Sequence, residues 1–183
     1  VPGILEYYIS DPQFSGYAEE ISSLIEEAAK EPGVALAQRS AEYIREKLIS
    51  GKAVLCLEQT AQTTRVAGFC YIETWSDGRY VANSGLTVRK EFRAFGVGKR
   101  LKEKAFELSR AKYPQAKLFG LTTNPAVMKI NSSLGYHPTS YRDLTQDEQF
   151  WAGCITCPYH DILTRLKREM CLCTAMIFDP EKD

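Results

Sequence analysis

Two hydrophobic rhythms alternate along the chain, one of strand period and one of helical period. Ile4 to Ile9 is a short apolar and aromatic run of strand length. Tyr17, Ile21, Leu24, Ile25 and Ala28 then recur at helical spacing, and Pro32-Gly33 ends that helix. Ala41, Ile44 and Leu48 predict a second, shorter amphipathic helix, capped by Ser40 and stopped by Gly51. Residues 53–57 and 66–72 are rich in β-formers and read as buried strands. Asp77-Gly78 is a hairpin signal leading into a strand over about 80–88.

Beyond that strand comes a loop with two glycines, then Val97, Leu101, Ala105 and Leu108 at helical spacing up to Tyr113-Pro114. Residues 118–121 predict a fifth strand. Asn124 then caps a further helix that carries Pro125 in its first turn and ends at Gly135. From about 142 to 170 the periodicity lapses into a polar, aromatic and cysteine-bearing insertion, and residues 171–178 close the chain as a strand. Without internal repeats or a low-complexity linker, residues 1–183 read as a single domain. The order β-α-α-β-β-β-α-β-α-β predicts an α/β fold in which a mixed sheet carries helices on both faces.

The bulk composition narrows the partners. Lysine plus arginine and aspartate plus glutamate each total 23, for a formal net charge of +0. That balance provides no field for nucleic acid or an anionic membrane, although a local basic site for a small anion remains open. No apolar run is long enough to cross a bilayer and no export pattern opens the chain, which points to the cytoplasm. There the six cysteines are read first as thiols or metal ligands.

The loop over residues 93–98 joins a strand to a helix, where several amides lack an intrahelical partner. Gly96 and Gly98 carry no Cβ, so the backbone can approach a phosphate closely while the helix dipole favours negative charge. Arg93, Lys99 and Arg100 add cations around the same point. A Walker loop needs a different glycine spacing and a hydroxyl after the lysine, and the dinucleotide fingerprint needs three glycines early in the chain.

The stretch Gly85-Leu86-Thr87-Val88-Arg89-Lys90-Glu91-Phe92-Arg93-Ala94-Phe95-Gly96-Val97-Gly98-Lys99-Arg100-Leu101 resembles the signature of the GCN5-related N-acetyltransferase (GNAT) superfamily. The resemblance runs on through Asn124 and Leu134-Gly135-Tyr136 and covers roughly residues 4–141 by element order. It implies a mostly antiparallel central sheet and acetyl-CoA or another acyl-CoA as cofactor. It places the cofactor against Leu86, Val88, Arg93, Ala94, Phe95, Gly96, Val97, Gly98, Lys99 and Asn124. Leu118-Phe119-Gly120-Leu121-Thr122-Thr123, followed by Gly135-Tyr136-His137-Pro138, is similar to the acetyltransferase domain of bacterial N-acetylglutamate synthases. The chain also looks similar to stand-alone Bacteroidetes-type relatives associated with arginine synthesis. These likenesses imply a small-molecule amine acceptor such as glutamate, an acetyl or succinyl donor, and a homodimer of the kind common in the family.

Acyl transfer from a thioester to an amine needs a neutral amine, a donor for the oxyanion and a proton for the departing thiolate. Many relatives place a tyrosine five residues before the aromatic of the Gly-aromatic pair, and here that position is Asn131. The N-acetylglutamate synthase domains that the chain resembles also lack that tyrosine. Asparagine cannot serve as that acid, although Asn131 can still hydrogen-bond the sulfur or cofactor. That leaves Tyr136 and Tyr71 as candidate acids, each also readable as packing. Glu73, at the end of the third strand, is the candidate base acting through water, or else an exposed turn glutamate. A dicarboxylate acceptor needs cations, for which Arg39, Arg45, Arg79, Arg89 and Lys129 are available. Cys154, Cys157, Cys171 and Cys173 flank the insertion and form either a tetrahedral zinc site or a set of free thiols. The missing tyrosine leaves open a CoA-binding regulatory module without catalysis. A protein N-acetyltransferase or a cysteine-rich interaction module is the third reading.

Overall fold

The computed structural model describes residues 3–183 and is built on one seven-stranded sheet in the order β1-β2-β3-β4-β5-β7-β6. The strands are β1 (Ile4–Ile9), β2 (Ala53–Gln59), β3 (Thr64–Trp75), β4 (Tyr80–Val88), β5 (Lys117–Thr122), β6 (His137–Pro138) and β7 (Thr174–Phe178). All neighbours run antiparallel except β4 and β5, which pair in parallel. The mixed sheet expected from the element order is present, and it is mostly antiparallel, as the family resemblance implied.

Helices cover both faces. On one lie α1 (Ala18–Ala29) and α2 (Ala41–Ile49), whose Ile21, Ile25, Ile44 and Leu48 pack on Leu55, Leu57, Phe69 and Tyr71. On the other lies α3 (Val97–Lys112), whose Val97, Leu101, Ala105 and Leu108 pack on Val54, Cys56, Cys70, Ile72 and Leu118. Alternate residues of β2 therefore serve opposite cores, which is why that segment is an unbroken apolar run instead of an alternating one. α4 (Pro125–Ser133) joins the α3 side. Among the described residues no helix is long and apolar enough to cross a membrane.

The insertion is more ordered than its sequence suggests. It contains two short helices, α5 (Glu148–Ala152) and α6 (His160–Arg165). Tyr141, Leu144, Trp151 and Leu163 pack against Ala82, Phe119, Ala175 and Ile177. Ala82 and Phe119 are register partners, while their neighbours Val81 and Leu118 belong to the α3 core. The insertion thus covers the half of the α1/α2 face that those two helices leave bare. Helices this short make too few turns to show a 3.6 period, which is why periodicity lapsed there. The closing strand is also shorter than expected, because Leu172 and Cys173 form a bend before Thr174.

Candidate functional site

β4 and β5 pair only from Tyr80–Ala82 to Lys117–Phe119 and then separate. β5 keeps its bonds to β7 through Thr122, and β4 keeps its bonds to β3 through Val88. A cavity of about 890 Å³ opens at the split. Its walls include Gly96, Gly98, Lys102, Asn124 and Asn131 from the α3/α4 side and Arg39, Tyr43, Tyr71 and Glu73 from the α1/α2 side. One space therefore runs from one face of the sheet to the other.

A bulge in β4 shapes the middle of this space. Phe69 faces Thr87 and Tyr71 faces Ser84, so two steps on β3 are matched by three on β4. Gly85 takes up the extra residue at φ +66°, and a Cβ there would lie 2.5 Å from the Tyr71 ring. No residue but glycine fits that position without displacing Tyr71.

On the α3 side, Gly96 sits in the left-handed region at φ +73° and starts α3 with no side-chain cap. The first amides of a 16-residue helix are left for a ligand, which is the arrangement of an anion cradle. A Cβ on Gly96 would meet nothing within 4 Å, and one on Gly98 only Val88 at 3.7 Å. Packing therefore does not demand glycine at either position, although φ does at Gly96. Leu86, Val88, Arg93, Gly96, Gly98, Lys99 and Asn124 all line the cavity. Asn124 caps α4, with its Oδ1 accepting from the Ala126 amide at 2.9 Å.

Three residues expected at the cofactor do not line the cavity with their side chains. Val97 is buried in the α3 core, and Ala94 and Phe95 are exposed outside the cavity wall, because the 3₁₀ turn over Lys90–Phe95 directs them to solvent. Arg93 does reach the wall, but its guanidinium holds Glu31 at 2.8 and 2.9 Å and the Val88 carbonyl at 3.0 Å. It ties the end of α1 to the loop, and the Glu31 carboxylate holds its proton more firmly still.

The expected acid and base separate as clearly. Tyr136 is not on the cavity wall. Its hydroxyl donates to Asn83 Oδ1 at 3.1 Å inside the α3 core, and burial pushes its ionisation far above the usual range. Asn131 does line the cavity and is almost fully buried. Its Nδ2 faces Met176 Sδ at 3.8 Å while its Oδ1 has no partner among the described residues. Glu73 is no exposed turn residue. It faces α2, ion-paired to Lys47 and, at 3.6 Å, to Lys52, with the Tyr43 hydroxyl 3.5 Å away.

Of the candidate cations, only one faces this end of the cavity without a carboxylate partner. Arg45 is paired with Glu19 and Arg89 with Glu20, Arg79 donates to the Ser76 carbonyl in the hairpin, and Lys129 is exposed away from the wall. Arg39 donates to the Tyr71 hydroxyl at 3.0 Å and to the carbonyls of Gln38 and Gly153 at 2.9 and 3.3 Å. Among the described residues no carboxylate pairs with it. Its position depends on the insertion, since Gly153 is one of its partners and the Gln38 amide is held by Thr156 Oγ1 at 3.0 Å.

The zinc expectation finds no support. Cys154, Cys157, Cys171 and Cys173 border a hollow of about 30 Å³ beside Tyr141 and Trp151, and three of them also touch the main cavity. Yet among the described residues no group of three or more His, Cys, Asp or Glu side chains is gathered to hold a metal. Burial, with neighbouring sulfurs adding to it, pushes the Cys154 thiol up to about 11 and Cys173 up to about 12. Thiols held protonated in this way are poor nucleophiles.

No family model and no curated protein sequence matches the chain. Solved structures do. The N-acetylglutamate synthase of Neisseria gonorrhoeae, complexed with coenzyme A and N-acetyl-glutamate, aligns with a TM-score of 0.66 at 18% identity, over 96% of this chain but only 35% of its own. A Mycobacterium tuberculosis protein in complex with CoA aligns with a TM-score of 0.66 at 12% identity, over 95% of this chain and 98% of its own. A GNAT superfamily phosphinothricin acetyltransferase from Sinorhizobium meliloti, in complex with AcCoA, gives 0.60 at 14% identity over 98% and 89%. The fold of this chain is that of the GNAT acetyltransferases.

Proposed function

We propose that the chain is an acyl-CoA-dependent N-acyltransferase whose acceptor is a small carboxylate-bearing amine, with glutamate the foremost candidate. The observation that carries this reading is the cavity itself. It joins an uncapped helix start on one face of the sheet to Arg39 and Glu73 on the other. An anionic donor and a zwitterionic acceptor can thus meet from opposite sides at the split between β4 and β5.

The residues present suit an acyl-CoA. The free amides at the start of α3 and the Lys99 side chain fit its pyrophosphate, and Leu86 and Val88 present strand backbone to a pantetheine arm in the split. Asn131 Oδ1, buried and without a partner among the described residues, suits a donor from whatever fills the cavity. When bound, the group supplies an activated acyl carbon. On the acceptor side, Arg39 fits a carboxylate through its guanidinium fork. Glu73 is placed to take the amine's proton, directly or through water. The fold and ligands of the Neisseria gonorrhoeae synthase support glutamate as the first acceptor to try.

The test is an acceptor screen across amino acids with acetyl-CoA and succinyl-CoA, read by thiol release and by mass of the product. Acylation of glutamate or another carboxylate-bearing amine is the expected result. CoA binding with no thiol release from any acceptor would leave a binding module in place of an enzyme.

A further inference from the structure

This chain has Asn131 where many members of the family it resembles place a tyrosine, and Tyr136 is sealed in the core. Another group reaches the cavity from the α3 face. Lys102 lies one turn into α3, is 2% exposed, and lines the cavity wall. Among the described residues its ammonium has no carboxylate within ion-pair distance and no hydrogen-bond acceptor. The groups that face it are the Tyr136 ring, whose centroid is 5.6 Å from Nζ, and Cys70 of β3.

A lysine at this position is hard to explain as packing. The residues beside it on the same helix face, Leu101 and Ala105, belong to an apolar core, where leucine or methionine would fill the volume without a charge. Burying an unpaired ammonium is costly, and a cation–π contact offsets only part of that cost. Lysines kept in such places commonly have chemistry to perform. Lys102 lies on the α3 face, as does Asn131, whose buried Oδ1 has no partner among the described residues and which lines the same wall.

We propose that Lys102 is the group that protonates, and while charged stabilises, the thiolate released from the acyl donor. The inference rests on the N-acyltransferase reading given above. The acceptor nitrogen forms its bond to the acyl carbon and the carbon–sulfur bond breaks, with its electron pair leaving on sulfur. The Lys102 Nζ proton then passes to that sulfur. The proton shed by the acceptor nitrogen goes to Glu73 or to water, and Lys102 recovers one from solvent through the open cavity. One thioester and one neutral amine thus give one amide and one thiol. Burial, which lowers the proton affinity of this ammonium, makes the transfer easier, since a lysine at its ordinary value would be a reluctant acid.

The decisive measurement is the titration of CoA's own thiol when bound. Its alkylation by iodoacetamide across pH, counted by mass spectrometry on CoA itself, keeps the protein's thiols out of the readout. Bound to the wild type, the CoA thiol should titrate about one unit or more below free CoA, because a cation beside it favours the thiolate. In Lys102→Met the bound thiol should return to the free value. Turnover with the best acceptor should fall about a hundredfold with little change in KM for acetyl-CoA. The wild-type comparison of bound with free CoA does not depend on the variant folding. If the wild type binds CoA and acylates amines but the bound thiol titrates as free CoA does, the assignment of Lys102 falls and the transferase reading stands. If the wild type does not bind CoA, both fall.

Discussion

The two faces of the sheet carry the two halves of the proposed site, and they are assembled in opposite ways. Nearly all of the α3 half comes from one continuous stretch, from the bulge at Gly85 through the αL turn at Gly96 to Lys102. The α1/α2 half is drawn from four separate places. Arg39 comes from the connection between α1 and α2, Lys47 from α2, Tyr71 and Glu73 from β3, and the Gly153 carbonyl from the insertion. A cradle made of backbone amides at a helix start needs only local chain geometry. Recognition of a particular small molecule needs charges converging from several directions, which only packing can bring together.

If the halves are functionally distinct, substitutions should separate them. Glu73→Gln should have the largest effect, lowering turnover about a hundredfold or more by removing the proton acceptor. It also leaves Lys47 buried without its carboxylate, at about 3 kcal/mol of stability, so turnover and thermal melting should be measured together. A variant destabilised yet fully active would remove Glu73 from the chemistry. Gly96→Val should act on the other half alone. It strains an αL position by about 1–2 kcal/mol and places a branched side chain where the pyrophosphate would approach. CoA affinity, measured by calorimetry, should fall severely while affinity for the acceptor is kept. Unchanged CoA affinity would move the cofactor away from this loop.

Arg39→Ala should raise KM for a carboxylate acceptor about thirtyfold, which corresponds to about 2 kcal/mol for a hydrogen-bonded charge. CoA affinity should not change. Arg39→Lys should restore only part of the loss, because the ammonium lacks the two-pronged fork. An equal rise for an acceptor lacking any carboxylate would show that Arg39 holds the site's shape instead of reading charge.

The smallest effect concerns stability and pH. Burial holds the Lys102 ammonium below its ordinary value of about 10.4, so the unfolded chain binds that proton more tightly than the folded one. The stability of the wild type relative to Lys102→Met should therefore rise as pH climbs from the lowered folded value toward the ordinary one. Below that window the buried cation is a constant burden and Lys102→Met should be the more stable protein. Denaturant melts at a series of pH values check the sign, and an opposite slope would mean that the lysine has an unseen anionic partner.

The sequence alone determined most of the elements outside the insertion and the glycine-bearing start of α3. The strand over Tyr80–Val88, the Ser40 and Asn124 caps and the loop at Gly96 were all readable from hydrophobic period and turn chemistry. These are local properties, fixed by a few consecutive residues. Tertiary structure decided what each polar group faces. It buried Tyr136, committed Arg93 to Glu31 and Arg45 to Glu19, and left Arg39 facing the cavity without a carboxylate partner among the described residues. It gave the insertion its place as the wall that holds Arg39, and it put Lys102 on the inner side of α3. Helical spacing could have flagged that last residue, since Lys102 adjoins the apolar stripe of Leu101 and Ala105. Whether such a charge is paired, solvated or aimed into a cavity depends on groups distant in the chain.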